Sequence, residues 1–391
     1  MYDFDKLTQR RGTGSLKWDV PEGELPMWVA DMDFETAPEI IEAIRERTAH
    51  GVFGYQVVTE DWYRAYQGWW SRRHHVEFEK EWLIFCTGVV PAISSAVRKL
   101  TTVGENVLIQ TPVYNIFFNS IRNNGRNIRE NPLRYENGEY SVDFEDLEEK
   151  LADPQTTLML LCNPHNPVGK IWDRETLARI GEFCAKYHVI VLSDEIHCDL
   201  TDPGYEYVPF SSVSDCCREN SVTCIAPTKA FGIPGIQTAA AVVPNPVLRH
   251  KVNRGLNTDE VAEPNCFAVC AAVAAFEKGE TWLEEAREYL AENKRLVRDF
   301  IRRELPEIRV VSSRATYLLW LDCSALTEDA ALLTKYIRRE SGLYLTEGEE
   351  YGAPGKPFIR MNPACARSRL QDGLERLKVC KDFLSGQVSG A

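Results

Sequence analysis

Five short apolar runs in the middle of the chain each end in residues able to do chemistry. LIFC is followed by Thr87-Gly88-Val89-Val90-Pro91, NVLIQ by Thr111-Pro112-Val113-Tyr114, and TLMLLC by Asn163-Pro164-His165-Asn166-Pro167. VIVLS runs into Asp194-Glu195-Ile196-His197, and VTCIA into Pro227-Thr228-Lys229. One polar residue after one strand means little. An aromatic ring, an amide, a carboxylate, an imidazole and an amine at successive strand ends describe a site, because ligands of an open parallel sheet bind beyond the carboxyl ends of its strands.

That set of groups asks for a particular ligand. A helix starting after Gly88 offers free backbone N–H groups and a positive dipole end to a phosphate. Tyr114 offers a flat ring. Asp194, just past a buried strand, is costly as an anion unless a cation meets it, and a protonated ring nitrogen would do so. Lys229 brings an amine able to form a Schiff base with an aldehyde. Phosphate, aromatic ring, ring nitrogen and aldehyde together describe pyridoxal 5′-phosphate (PLP).

The elements that must position these residues follow from the hydrophobic pattern. Between TLMLLC and VIVLS lies DRETLARIGEFCAKYH, with Leu177, Ile180 and Cys184 at helical spacing behind an Asp173 N-cap. Strand, helix, strand in that order predicts a parallel sheet with helices on its faces, extended at the far end by AAAVV. Past residue 275 the pattern changes. Thr281 and Glu284 read as a capping box opening a long charged helix that connects two domains. RVVSSRATYLLWLD and KPFIRMN read as strands, and RSRLQDGLERLKVCKDFL as a final helix. The expected architecture is α/β: a large PLP-binding domain over residues 46–278, with a mostly parallel sheet between helices, and a smaller α+β domain over 279–391. The irregular segment 1–45 is expected to pack with the smaller domain.

Composition removes several classes. The 391 residues are 44% hydrophobic and 26% charged, which suits a soluble globular chain with a sizeable core. Forty-five Lys+Arg against 58 Asp+Glu leave a net charge of −13, which argues against a nucleic-acid or anionic-lipid surface. No apolar run is long enough to span a bilayer, and MYDFDKLTQRR has no apolar core of a signal peptide. A cytoplasmic protein with reduced thiols is expected. Neither Cys216-Cys217 nor Cys266-x-x-x-Cys270 belongs to a zinc-type cluster, so no metal is expected.

The order NPHNPVGK, SDEIH, PTKAFGIPG and FIRMN resembles fold type I PLP enzymes of the aspartate aminotransferase superfamily. More narrowly, GSLKWD, LPMWVADMDF, FGYQ, TGVVPAI, TPVYN, LLCNPHNPVGK, SDEIHCD and ATYLLWLD resemble the MalY/PatB-type cystathionine β-lyase, or C–S lyase, branch. The resemblance runs over nearly the whole chain and implies roles. Lys229 would carry the cofactor, Asp194 would face the pyridinium N–H, Asn166 the ring hydroxyl, and Tyr114 would stack on the ring. The Val89 and Val90 N–H groups and the Thr228 hydroxyl would hold the phosphate, joined by Tyr55 from the other subunit of a homodimer. Arg360 would pair with the substrate α-carboxylate. Two departures stand out. His197 occupies a position where many relatives have Tyr as a second contact to the ring oxygen. Gln237 and Ala226 stand where many have Arg and Ser near the phosphate, which then relies more on backbone N–H groups and Tyr55.

Each residue also has a plainer reading. A lysine after a strand is commonly solvated, Asp194 fits a helix cap, Asn166 an Asn-Pro turn, Tyr114 and Tyr55 core aromatics, and Arg360 a structural ion pair. His165 and Glu195 are read as scaffold. For the assembled site, the branch resemblance implies α,β-elimination: a C–S β-lyase cleaving cystathionine or related cysteine S-conjugates to a thiol, pyruvate and ammonia, with Lys229, Asp194 and Tyr114 as catalytic residues. An aminotransferase on the same scaffold, or a PLP-bound regulatory protein with incidental lyase activity, are the alternatives that the residues leave open.

Overall fold

The structure is a computed structural model that describes residues 2–384. Its centre is a seven-stranded sheet in the spatial order Leu83–Cys86, Ala239–Val242, Ser221–Ile225, Ile190–Asp194, Thr156–Cys162, Asn106–Ile109, Asn127–Glu130. Ala239–Val242 is antiparallel to both its neighbours, and the other pairings are parallel. Every residue of Ser221–Ile225 and of Ala239–Val242 is buried. Helices cover both faces, so these strands read as unbroken apolar runs rather than alternating ones.

The flanking helices form where the pattern predicts. In Arg174–Lys186 the Thr176 N–H donates to the Asp173 carboxylate at 2.7 Å, and Leu177, Ile180 and Cys184 are buried. In Val89–Leu100 the buried Val89, Ile93, Ala96 and Val97 make one face against the sheet. Gly88 precedes this helix and has no side chain to cap it. Its first N–H groups are therefore left for something else.

The smaller unit is an antiparallel sheet in the order Arg309–Val310, Leu319–Asp322, Phe358–Met361, Thr346–Glu347. Trp18, Leu25 and Met27 from the N-terminal segment enter its core beside Ile301, Leu319, Leu333 and Leu370, and Leu25–Pro26 pairs in parallel with Leu343–Tyr344. Among the described residues no helix is long and apolar enough to cross a membrane.

Four sequence expectations are corrected. A helix spans Pro38–Ala49, so the boundary placed at residue 45 falls inside it; Pro38 opens the helix and fully buried Ile40 helps seat it in a core with Trp62, Phe85 and Phe276. Thr281 and Glu284 do not form a capping box, since the long helix Glu280–Glu304 already starts at Glu280 behind Gly279. Glu284 instead binds Arg73 and, at 2.5 Å, Arg287. The stretch RVVSSRATYLLWLD is not one strand. Its middle leaves the small sheet to meet the large domain, with Arg314 and Ala315 N–H on Gly169 O and Thr316 N–H on Leu200 O. The last helix breaks into Arg367–Leu377 and Cys380–Leu384.

Candidate active site

The strand ends deliver their residues to one cavity of about 270 Å³. Val89, Val90, Tyr114, Asn166, Asp194, His197, Thr228 and Lys229 all line it. Arg360 comes to the same place from Phe358–Met361 of the four-stranded sheet, its Nη1 donating to Asn166 Oδ1 at 3.4 Å. Tyr55 does not enter its own chain's cavity. It is 100% exposed, in an irregular stretch whose Val52, Phe53 and Val57 are exposed as well.

Chemistry is set up by what the buried groups lack. Asp194 ends its strand with a buried side chain that accepts the Ile196 N–H at 3.1 Å. Burial pushes this carboxyl up to about 6, with the Ile196 N–H and the Lys229 charge pulling the other way. Lys229 Nζ donates to Ala30 O at 2.5 Å. Burial, and then the Arg360 charge, draws the amine down to about 8 against the pull of Asp31 and Asp194. His197 is held neutral, at about 3, by burial and by the charges of Lys229 and Arg360. Its Nδ1 has no hydrogen-bond partner among the described residues. Burial lifts the Tyr114 phenol to about 12.

Arg360 is the sharpest case. Its guanidinium is buried, it donates to Trp28 O at 3.0 Å and to an amide oxygen, and it lies over the Tyr351 ring at 4.8 Å. Its Nε has no partner, and among the described residues no carboxylate forms a salt bridge with it. A buried cation with only neutral partners is expensive, and a carboxylate brought by a ligand would relieve it.

The same residues fit pyridoxal 5′-phosphate. The uncapped helix start at Val89 and Val90 offers N–H groups to a phosphate. The buried Asp194 carboxyl offers an acceptor to a ring N–H, and the amine of Lys229 is free enough of protons to attack a carbonyl carbon. A metal fits less well. Among the described residues one group of ligand-type atoms comes together, His74, Cys198 and Asp199. There the carboxylate is already taken by Trp69 Nε1, His74 Nε2 and Arg73 Nε at 2.9 to 3.1 Å.

Sequence reasoning missed several wall residues. Ala30 contributes a main-chain carbonyl, which leaves no side-chain signature. Cys162, whose Sγ accepts the Asn166 N–H at 3.4 Å, was read only as the end of a strand. Tyr317 is not part of the wall but donates to the Ala30 carbonyl that is, and it lies inside RVVSSRATYLLWLD, whose pattern reads as one strand.

With this site in place, the family can be stated. The model for the aminotransferase class I and II family matches residues 25–377, and the chain belongs to that family. Its relatives narrow the position within it. The chain is 43% identical over 383 residues to the cystathionine beta-lyase PatB of Bacillus subtilis strain 168, covering 96% of this chain and 99% of that one. It is 32% identical over 385 residues to protein MalY of Escherichia coli K12, covering 96% and 98%. Among solved structures it is similar to cystalysin from Treponema denticola, which contains a pyridoxal 5′-phosphate cofactor, with a TM-score of 0.95, 33% identity and coverage of 98% and 100%.

Proposed function

We propose that the chain is a PLP-dependent C–S β-lyase that cleaves cystathionine or related cysteine S-conjugates to a thiol, pyruvate and ammonia. The observation that carries the reading is the buried Arg360 guanidinium without a carboxylate, set across Asn166 from Lys229 and Asp194. An amino-acid substrate supplies the missing anion. The lyase relatives at high coverage support elimination as the outcome.

When bound, pyridoxal 5′-phosphate supplies an electron sink for the charge that develops at the substrate Cα. The chain's residues do the rest. Val89 and Val90 N–H groups and the Thr228 hydroxyl would hold the phosphate, and Asn166 and His197 would serve the ring oxygen. Tyr114 would cover the ring, and Asp194 would keep a proton on the ring nitrogen. Arg360 would clamp the α-carboxylate and so present the substrate's Cα–H bond to the Lys229 amine. Lys229 would hold the cofactor's aldehyde carbon, and its free amine would take the Cα proton as general base. As the Cα–H bond gives up its electron pair the Cβ–S bond breaks and the thiolate leaves, and water then replaces nitrogen at Cα to give pyruvate and ammonia. A proton from Lys229 or the Tyr114 hydroxyl completes the thiol. Tyr55 serves the neighbouring subunit's phosphate in a homodimer, which its full exposure and the exposed apolar residues around it support. Twelve free cysteines support a cytoplasmic home.

Product analysis under single turnover tests the reading. Homocysteine, pyruvate and ammonia from cystathionine are expected. Conversion of the cofactor to its amine form without pyruvate would make the protein an aminotransferase, and cysteine with 2-oxobutyrate would mean cleavage on the other side of sulfur.

A further inference from the structure

Three buried features have no task in the proposed reaction: the backbone of Thr316, the ammonium of Lys294 and the phenol of Tyr317. Thr316 has φ 64°. A β-branched residue in the left-handed region is crowded by its own backbone and persists there only when its surroundings over-determine it. Here they do. The Thr316 N–H donates to Leu200 O at 2.6 Å. Its carbonyl accepts from Lys294 Nζ at 3.2 Å, and its hydroxyl accepts the Leu318 N–H at 3.0 Å. Lys294 is itself fully buried and bound to Asp202 at 2.5 Å. A buried ion pair is a poor source of stability, but it is well suited to selecting one conformation.

What this conformation achieves is the aim of the next side chain. The buried Tyr317 donates its O–H to Ala30 O at 3.0 Å and turns its ring edge toward His197, with centroids 6.2 Å apart at 73°. The same Ala30 carbonyl accepts from Lys229 Nζ. A carbonyl oxygen has two lone pairs, so the phenol and the amine share one acceptor. The acceptor strength that the phenol takes is lost to the amine.

We propose that Tyr317 is a positioning residue for Lys229: by sharing the Ala30 carbonyl it fixes where the lysine amine rests and weakens that carbonyl's hold on the ammonium form, leaving the amine ready to act as a base. The inference rests on Lys229 being the base of the proposed reaction. The charged groups facing the amine are Arg360, Asp31 and Asp194, and Asp31 is in turn bound on both oxygens by Arg10 at 2.6 and 2.8 Å. The neutral titratable groups around it are Tyr317 on the shared carbonyl and His197 and Tyr114 in the same cavity. Removing the phenol therefore changes one neutral donor and none of the charges.

Tyr317→Phe tests this, since it keeps the ring and removes only the donor. With Ala30 O left to the lysine alone, the ammonium is held more strongly. The acid limb of the kcat profile should move up by about one pH unit, with kcat near neutral pH about tenfold lower and KM within about twofold. A second readout needs no turnover: in cofactor-free protein, the pH dependence of Lys229 acetylation by trace acetic anhydride, read by peptide mass, should shift in the same direction. An unmoved acid limb and an unmoved acetylation profile would overturn the proposal, as would a loss expressed only in KM. Exchange of the substrate Cα hydrogen for solvent deuterium is followed alongside pyruvate. Wild-type protein that exchanges but forms no pyruvate would sink the lyase reading and leave the test of Tyr317 intact.

Discussion

Asp194 and Asp199 stand on the same stretch of chain, and both are buried, yet their surroundings are opposite. Asp199 is met by Trp69, His74 and Arg73, and these donors and cations hold its carboxyl below the usual range although burial pushes the other way. Asp194 has a backbone N–H and a more distant Lys229, and burial wins. Burial alone therefore does not mark the functional aspartate. The mark is burial without compensation, and Arg360 shows it with the opposite sign of charge. A satisfied buried charge pins a fold; an unsatisfied one waits for a ligand.

The comparison predicts effects that separate by kind. The largest belongs to the satisfied partner: Asp199→Ala strips His74 and Trp69 of their buried acceptor and leaves Arg73 only its half-exposed partners Glu280 and Glu284, and should cost about 3–5 kcal/mol of stability in chemical denaturation, with kcat per folded molecule little changed. Loss of activity with unchanged stability would reverse the two roles.

The second effect has the opposite sign. In cofactor-free protein the Asp194 carboxyl is raised to about 6. Its contribution to stability is thus fully present below the unfolded value, near pH 4, and is lost as pH rises through about 6. Asp194→Asn should make the cofactor-free protein about 3 kcal/mol more stable than wild type at pH 8, with the difference vanishing near pH 4. Asp199→Asn should instead destabilise at pH 8, because a depressed carboxyl stabilises above its unfolded pKa and loses that contribution as pH falls. Parallel pH curves for the two variants would break the contrast.

In the loaded protein, Asp194→Ala should keep the cofactor on Lys229, detected by borohydride fixation and peptide mapping, yet lose about 10²-fold in kcat. Arg360→Ala should raise KM by about 10- to 100-fold for every amino-acid substrate, the range of a lost charge-assisted hydrogen bond, and lower kcat if the clamp also orients Cα. The smallest effect is expected from Tyr114→Phe, a severalfold slower turnover that leaves Lys229 to protonate the departing thiolate. An unchanged rate would remove the phenol from the reaction.

Much of this was legible before any coordinates. Six of the seven strands of the large sheet announced themselves as short apolar runs because they are largely buried between helices, whereas the edge strand Asn127–Glu130, with alternate residues exposed, carries no such run. The residues after the parallel strands had to lie at one edge of the sheet. That is enough to nominate Lys229, Asp194, Asn166, Tyr114 and the helix start at Val89, and the motif order then implies the cofactor and the reaction. The misreadings share a different cause. The Thr281–Glu284 pattern is a good local cap, but Gly279 and Glu280 already begin the helix, and Glu284 is drawn to arginines distant in sequence.

The chain by itself thus determined which strand-end side chains of the large sheet meet, because periodicity and strand-end position are local properties that the hydrophobic effect enforces along a sheet. Only the tertiary structure decided which of those side chains are left unsatisfied. Whether Asp194 or Asp199 has a partner, whether Arg360 finds a carboxylate, and which carbonyl receives the Lys229 amine all depend on segments far apart in sequence, Ala30 and Tyr317 among them. Electrostatic compensation is a sum over such neighbours, and no single stretch of sequence contains it.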